Sequence, residues 1–302
     1  MDADSIDKRR SVGVVVPCHN NALQLYALLR SLIVQDDPPE EIVVIDDNSY
    51  ASELYEIVRL ARTHKCQYAR LPEPNTASEE LGRRSLARNI GTKLLGTDIV
   101  LYLDGDMILD KRYIAETRSI HSTHRRCYVR GHRLSVSEVK QQKGIEHILL
   151  ELNEQSLPKS ELFLDYVLKD HHDLMSVGRG GVFLDRWDWC ASNNLSVCKE
   201  DIVNIGGWDE RYVGWGEEDM DFSYRLFRSG LLPLRASSEA ASAYHLDHHI
   251  DRVNNRRTLE KNAILLLAKY PQVTIRRRRA YERYDLKVQD LEWQANTLRN
   301  SK

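Results

Sequence analysis

The first 110 residues alternate between short apolar runs and segments whose apolar residues recur at helical spacing. Residues 12–17 have the pattern of a buried strand and residues 22–34 that of a helix, and the alternation continues to a fourth strand at 98–103. Strands alternating with helices in this way form right-handed βαβ units and a mainly parallel sheet. The sequence therefore predicts an α/β fold built on a single Rossmann-like, mainly parallel sheet flanked by helices. The other predicted elements of this region are strands at 41–45 and 66–71 and helices at 52–62 and 85–95.

The chain beyond residue 110 is less regular. Residues 135–170 are polar and mainly of helical pattern, which indicates an insertion, and the glycines among the aromatic residues of 177–188 predict a loop. A helix at 256–269 is expected to end before Pro271, and a charged helix follows it. We therefore expect the chain to end in a helical extension. Between the loop and the extension, the sequence predicts a strand at 192–197, a helix at 217–229 and an edge strand at 231–234.

Composition excludes several classes of protein. The 43 Lys and Arg residues nearly balance the 45 Asp and Glu residues, and the net charge of −2 provides no basic field for nucleic acid. The five cysteines form no CxxC pair, which argues against a disulfide framework and a structural zinc site. The polar start lacks the apolar core of a signal peptide, and no run approaches the roughly 18 apolar residues of a membrane span. We therefore expect a cytoplasmic protein without a transmembrane segment.

Acidic pairs follow two neighbouring strands of the predicted sheet. Asp104-Gly105-Asp106 comes directly after the fourth strand, and Asp46-Asp47 ends the second. Two carboxylates at i and i+2, with a glycine that allows a tight bend, can hold a divalent cation whose shell is completed by diphosphate oxygens. Each motif alone is also explained by a polar turn or a helix cap. Both pairs together, at the carboxyl ends of neighbouring parallel strands, face one cleft and favour a binding site.

Two Gly-Trp pairs, at Trp208 and Trp215, precede the helix predicted at 217–229, whose first turn holds Glu217, Glu218 and Asp219. Acidic residues in the first turn of a helix complement its dipole, which explains the acids but not the tryptophans. Rigid aromatic side chains beside glycines are suited to stack on sugar rings. A carboxylate fixed at a helix start is suited to act as a general base.

A histidine cluster, at residues 245–249, follows the predicted edge strand. A lone histidine is more often structural or exposed than a metal ligand. In a chain that already carries an Asp-x-Asp motif, the cluster favours one further ligand. His245 is the first candidate and His248 the second.

Together these motifs resemble those of the family 2 glycosyltransferases of the GT-A fold. Residues 14–20 resemble the family's first strand and loop, residues 44–49 its uridine-binding segment, and residues 87–91 the helix that faces the nucleotide. The resemblance implies that Asp106 binds the metal, Mn²⁺ or Mg²⁺. It also implies a set of residues for the nucleotide sugar, with Asp47 on the base and Asp104 on the ribose: Pro17, Asn20, Asp46, Asp47, Arg88, Asp104 and Gly105.

Residues 206–245 are similar to the galactosyltransferase-type module shared by β-1,4-galactosyltransferases and polypeptide GalNAc-transferases. On that pattern Asp219 is the base of an inverting reaction, Glu218 is a second catalytic carboxylate that also binds the acceptor, and His245 is a metal ligand. Retaining relatives carry asparagine at the position of Asp219, so the aspartate implies inversion. The residues expected to bind the acceptor are Trp187, Trp208, Trp215 and Glu218.

The resemblance covers about residues 11–250 and implies three parts. Residues 1–110 form the nucleotide-sugar-binding half, residues 111–250 the acceptor-binding and catalytic half, and residues 251–302 a helical extension. The implied activity is metal-dependent transfer of a hexose or N-acetylhexosamine from a nucleotide diphosphate donor to an acceptor hydroxyl with inversion. The first candidate for the donor is a UDP-sugar. The acceptor is a glycan, a peptide or a small molecule. We expect the loop at 177–189 to close over the donor as a lid, with its aromatic residues Phe183, Trp187 and Trp189.

Two other functions fit parts of the pattern. A sugar nucleotidylyltransferase also places carboxylates and a metal beside a parallel sheet, but it needs a glycine-rich, basic loop after the first strand. This chain has the sequence Pro-Cys-His-Asn-Asn there, at residues 17–21. A catalytically silent nucleotide-sugar-binding module would have lost the Asp-x-Asp motif or Asp219, and both are present.

Overall fold

The computed structural model describes residues 9–76, 82–136, 162–164, 187–236, 242–246 and 251–301. The strands of these residues are, in chain order, β1 (Val12–Cys18), β2 (Glu41–Asp46), β3 (Gln67–Arg70), β4 (Ile99–Leu103), β5 (Met107–Leu109), β6 (Cys127–Arg130), β7 (His132–Val136), β8 (Leu162–Leu164), β9 (Asn194–Cys198), β10 (Leu232–Arg235) and β11 (Ser242–Leu246). The α-helices are α1 (Ala22–Ile33), α2 (Ala51–Thr63), α3 (Arg84–Leu94), α4 (Tyr113–Thr123), α5 (Lys199–Asn204), α6 (Glu218–Arg228), α7 (Arg252–Lys269), α8 (Thr274–Arg283) and α9 (Val288–Asn300).

Seven strands form the large sheet, in the order β10-β6-β9-β4-β1-β2-β3. Four adjacent strands of this sheet, β4, β1, β2 and β3, pair in parallel, as the alternating sequence pattern predicts. β9 runs antiparallel between β4 and β6, and β10 pairs in parallel with β6 at the edge of the sheet. The predicted α/β fold on a mainly parallel sheet is confirmed, and so is the edge position of the strand predicted at 231–234.

A second sheet, of order β5-β11-β7-β8, has no counterpart in the sequence prediction. Its strands β5 and β8 have three residues each, which is too short to show a period. Residues 135–136 and 162–164 belong to β7 and β8, so the prediction of helix over 135–170 is wrong at these residues, and residues 137–161 lie outside the described part. The antiparallel pairing of β5 with β11 sets His245 opposite Met107, one residue from the Asp-x-Asp motif.

Apolar side chains pack on both faces of the large sheet. Val14 and Val16 of β1 pack with Leu25 of α1 on one face, whereas Val15 packs with Ala87 of α3 on the other. A strand that is buried on both faces needs apolar residues at successive positions. This explains why β1 is a continuous apolar run in the sequence and does not alternate with polar residues.

The C-terminal helices α7, α8 and α9 share a third apolar core with the preceding half of the chain. Leu266 of α7 and Tyr281 of α8, both 0% exposed, lie in one cluster with Met220 and Tyr224 of α6. The predicted helical extension is therefore helical, and it is packed onto the segment that carries the predicted catalytic residues. Within the described part of the chain, no helix has the length and apolar character that a membrane span requires.

Candidate active site

The Asp-x-Asp motif lies against the loop that follows β1. A Cβ atom on Gly105 would lie 2.5 Å from the side-chain nitrogen of Asn21 and 3.3 Å from the carbonyl oxygen of Pro17. Only glycine therefore allows this close approach of the two loops without a shift. Asp104 and Asp106, on either side of the glycine, follow the carboxyl end of β4, as predicted. The strand that ends at Asp46 is not the neighbour of β4, as the sequence predicted, because β1 lies between β2 and β4 in the sheet.

The segment after β2 is joined to the same loop by hydrogen bonds. Ser49 donates to the buried carboxylate of Asp46 from its amide, over 3.0 Å, and also from its hydroxyl group. The Asn20 amide donates to the Ser49 hydroxyl oxygen (2.9 Å), and the Asn20 side-chain oxygen accepts from the Tyr50 amide (2.7 Å). Asp46 and Asn20 thus shape the two loops, and a direct contact of either with a nucleotide stays a prediction.

Asp47 is paired with an arginine that the sequence analysis did not identify. Arg83 donates to the Asp47 carboxylate through its backbone amide (2.6 Å), Nε (2.9 Å) and Nη2 (2.7 Å), and its side chain is 5% exposed. The next residue, Arg84, donates from Nη1 to the carbonyl oxygen of Gly214 over 2.8 Å. The Arg83-Arg84 pair at the start of α3 is the sequence signal that could have indicated this site. Arg83 holds the Asp47 carboxylate, and Arg84 connects the first half of the chain to the Gly-Trp-Gly loop through its hydrogen bond to Gly214.

Arg88 joins the two predicted halves of the site. Its guanidinium lies 3.4 Å from Asp104 Oδ1 and 3.5 Å from Glu218 Oε1, and Arg88 is 1% exposed. The Asp104 side chain is 40% exposed, so it is open to a ligand. Because a buried guanidinium requires compensating charge, the two carboxylates and the arginine stabilise one another. The first aspartate of the Asp-x-Asp motif and the acidic start of α6 therefore lie in one site.

The predicted metal ligands Asp106 and His245 lie side by side. Asp106 Oδ2 is 3.2 Å from His245 Nε2, and the amide of Leu246 donates to the Asp106 carbonyl oxygen over 2.9 Å. In the part of the chain that the structure describes, no group of three or more His, Cys, Asp or Glu residues forms a cation site. A carboxylate and an imidazole are a donor set that suits a divalent cation, which usually takes its remaining oxygens from water and substrate phosphates. The fallback ligand His248 lies outside the described residues.

Three acidic residues mark the beginning of α6. Glu217 and Glu218 are 1% and 7% exposed, and Asp219 is half-buried. Burial and the carboxylate of Glu218 raise the pKa of Asp219 to about 7, and the positive charge of Arg277 acts in the opposite direction. A carboxyl group with a pKa near neutrality is suited to accept a proton at physiological pH. The predicted catalytic pair thus lies in surroundings that fit a general base.

Two of the three tryptophans predicted to bind the acceptor are core residues. Trp208 is 2% exposed and stacks on Phe222, with ring centroids 3.8 Å apart and an interplanar angle of 6°. Trp187 is 3% exposed, and its ring lies edge-on to Tyr224 at 4.9 Å. The prediction of an exposed stacking surface is wrong for both, because their rings are covered by protein. Trp215 is half-buried, and its acceptor contact stays a prediction.

The predicted lid falls mainly on residues 177–186, outside the described residues. At its C-terminal end, Trp187–Trp189 form a single turn of 3₁₀ helix. Because Trp187 packs into the third core, this end of the segment is anchored. A closing motion of the segment 177–186 stays a prediction.

Comparison with known proteins identifies the family. The sequence profile described as glycosyl transferase family 2 matches residues 13–187, which is more than half of the chain. The chain belongs to this family. A second profile, described as the N-terminal domain of galactosyltransferase, matches residues 184–249 and confirms the galactosyltransferase-type module.

Curated relatives are named glycosyltransferases. Validoxylamine A glucosyltransferase of Streptomyces hygroscopicus subsp. limoneus is 26% identical over 242 residues, which are 76% of this chain and 50% of that protein. Chondroitin synthase of Pasteurella multocida is 24% identical over 238 residues, or 74% of this chain and 24% of that protein. The chain thus spans about half or less of the length of these two relatives.

Solved structures with the same fold are GT-A glycosyltransferases. S. aureus TarS 1-349 in complex with UDP-GlcNAc has a TM-score of 0.57 and 19% identity, and the match covers 85% of this chain and 66% of that one. GalNAc-T7 with UDP, GalNAc and Mn²⁺ has a TM-score of 0.56 and 15% identity, covering 93% of this chain and 55% of that one. These similarities confirm the predicted GT-A fold.

Proposed function

We propose that the chain is a metal-dependent glycosyltransferase that moves a sugar from a UDP-sugar to an acceptor hydroxyl with inversion. The observation that carries the proposal is the contact of Arg88 with both Asp104 and Glu218. It brings a carboxylate expected to bind the donor and one expected to bind the acceptor to the two terminal nitrogens of a single guanidinium. The donor class is supported by TarS, whose structure contains UDP-GlcNAc.

Asp106 and His245 are the residues that would hold a divalent cation, Mn²⁺ or Mg²⁺. When bound, the cation neutralises charge that develops on the leaving diphosphate. GalNAc-T7, which shares the fold, contains Mn²⁺ together with UDP. Asp104 binds the ribose in this proposal, and Asp47, held by Arg83, binds the base.

Asp219 accepts the proton of the acceptor hydroxyl as the new glycosidic bond forms. A hydroxyl group is a poor nucleophile near neutral pH, so a carboxylate within hydrogen-bond reach is required. In a single displacement the base and the leaving diphosphate lie on opposite faces of the sugar, which inverts the anomeric carbon. Glu218 orients the acceptor, and the half-buried ring of Trp215 is the remaining aromatic contact for a glycan, peptide or small-molecule acceptor.

The test begins with donor binding. UDP, GDP and dTDP sugars are compared by thermal shift, with and without Mn²⁺, since a ligand at 100 times its Kd adds about 2.7 kcal/mol of apparent stability. We expect the largest shift with a UDP-sugar plus Mn²⁺, followed by slow hydrolysis that releases UDP and the sugar with inverted configuration. Consumption of UTP and a sugar 1-phosphate would instead indicate a nucleotidylyltransferase. Binding without any turnover of the donor would indicate a silent binding module.

A further inference from the structure

The C-terminal extension supplies a half-buried arginine to the start of α6, the helix that carries the proposed catalytic residues. Arg277 of α8 donates to both carboxylate oxygens of Glu217, from Nη2 to Oε1 over 2.6 Å and from Nε to Oε2 over 3.1 Å. The two side chains are 16% and 0% exposed. Both family profiles end before this helix, at residues 187 and 249, so neither profile includes this arginine.

Glu217 has a backbone conformation that needs support. Its φ angle is +70°, in the left-handed region, which costs a side chain other than glycine free energy. Its carbonyl oxygen accepts the first helical hydrogen bond of α6, from the Asp221 amide over 2.9 Å. Glu218 and Asp219, the two catalytic candidates, follow directly in the chain. The backbone conformation of Glu217 therefore sets where their side chains lie.

The same extension holds the adjoining loop and helix at other points. On α7, Thr258 Oγ1 accepts from the Trp215 amide over 3.0 Å, and the Asn262 side chain donates to the Gly216 carbonyl oxygen over 2.8 Å. Lys269, at the end of α7, contacts the buried carboxylate of Asp221. Arg277 and Lys269 are therefore two acid-binding residues of a scaffold that holds the backbone on both sides of Glu217.

We propose that Arg277 is a positioning residue, whose planar fork holds Glu217 in its left-handed conformation and so places Glu218 and Asp219 for reaction. The proposal rests on the proposed function, since it assigns a role in that reaction. Lysine carries the same charge but has no planar fork to engage both oxygens. Position and charge can therefore be separated by substitution.

The charges around Asp219 define a readout that loss of stability alone would not change. Glu217 and Glu218 come from its own segment, Arg88 from α3 and Arg277 from α8, and the thiol of Cys190 lies close enough to sense the Asp219 charge. Arg277 opposes the rise in the pKa of Asp219 that burial and Glu218 cause. Removing the guanidinium therefore raises this pKa further, whereas lysine retains the charge.

The experiment compares three variants in the hydrolysis of the UDP-sugar that the wild type turns over fastest. We expect Arg277→Gln to lower kcat by about 10²-fold, as for a displaced catalytic group, with KM for the donor unchanged. In the same variant, the pH below which kcat falls should be higher by about one unit. Arg277→Lys should lower kcat by less and keep the wild-type pH profile. Arg278→Gln, on the exposed face of the same helix, is the matched control and should behave as the wild type.

Folding of each variant is checked by circular dichroism and by stabilisation with UDP plus Mn²⁺. If Arg277→Gln does not fold, the folded Arg277→Lys variant decides, because a wild-type kcat in it would overturn the role of the fork. Wild-type kcat and pH profile in both Arg277 variants would overturn the inference while the proposed function stands. A wild-type protein that turns over no UDP-sugar would instead refute the proposed function, and the positioning role with it.

Discussion

The neighbouring carboxyl groups of Glu218 and Asp219 lie in different surroundings. Glu218 is the more buried of the two neighbouring acids and contacts Arg88, whereas Asp219 is half-buried and accepts a hydrogen bond from the amide of Met220 (2.8 Å). Arg88 thus compensates Glu218 directly, and Asp219 is the carboxyl group whose pKa is raised to about 7. At the scale of single residues, this difference favours Glu218 for binding and Asp219 for proton transfer.

Replacing Asp219, the proposed base, should greatly reduce catalysis but leave the protein folded. Asp219→Asn keeps the size of the side chain and removes its ability to accept a proton. We expect transfer to fall by roughly 10²–10⁴-fold, with unchanged UDP affinity in a thermal-shift titration. Turnover close to that of the wild type, or a product that retains the configuration of the donor, would contradict the assignment.

The raised pKa of Asp219 gives activity and stability opposite dependences on pH. The proposed base must be deprotonated, so kcat should fall as the pH drops below about 7.

Stability depends on the same proton. The folded state binds the proton of Asp219 more tightly than the unfolded chain, in which this carboxyl group keeps its ordinary pKa of 3.8. The contribution of protonated Asp219 to the free energy of unfolding is therefore complete below the ordinary pKa, and it is lost as the pH rises towards 7. Asp219→Asn should accordingly have a higher Tm than the wild type at pH 8 and a similar Tm at pH 4; an equal Tm at both would argue against a raised pKa.

At the scale of elements, the pairing of two short strands builds the predicted metal site. β5 follows Asp106 directly, and β11 carries His245, so their antiparallel pairing brings together residues that are far apart in the chain. The site therefore depends on a sheet that the sequence pattern did not reveal. The residue types were recognisable from the Asp-x-Asp motif and the histidine cluster, but their proximity was not.

Both ligands should be needed for cation-assisted donor binding. We expect Asp106→Ala to abolish the extra thermal stabilisation that Mn²⁺ gives to UDP binding, and His245→Ala to weaken it, because each removes one donor to the cation. Asp290→Ala, at an exposed position of α9, serves as the control. Transfer that is unaffected by EDTA would show that the metal assignment is wrong.

Local sequence patterns predicted the elements of the parallel sheet better than the contacts between distant residues. The strands β1, β2 and β4 follow from their short apolar runs, since burial on both faces of the sheet leaves a clear signal. Arg83 and Arg277 lie 36 and 60 residues from their acidic partners, and no local period encodes such pairs. For Trp208, the Gly-Trp sequence was compatible with a surface or a core position, and only tertiary packing decides between them.

At the scale of the whole molecule, the extension and the catalytic half share one core. The third cluster combines Leu266 and Tyr281 of the extension with Tyr212 and Met220 of the preceding segment. Residues from both parts therefore lose apolar contacts if either part unfolds. This sharing gives a physical reason for treating residues 251–301 as a part of the catalytic unit.

The shared core predicts that the extension and the catalytic half unfold together. Leu266→Ala, at a fully buried position, should destabilise the protein by about 2–5 kcal/mol because it leaves a cavity. Urea unfolding is followed by circular dichroism and by the fluorescence of the five tryptophans, which include Trp208 beside the large sheet and Trp293 in α9. We expect a single transition that moves to lower urea with both probes. Ile275→Ala, at a side chain that is 85% exposed on α8, is the control and should shift neither. Two separate transitions, of which Leu266→Ala moves only one, would show that the extension folds independently and would remove the basis for its role in the site.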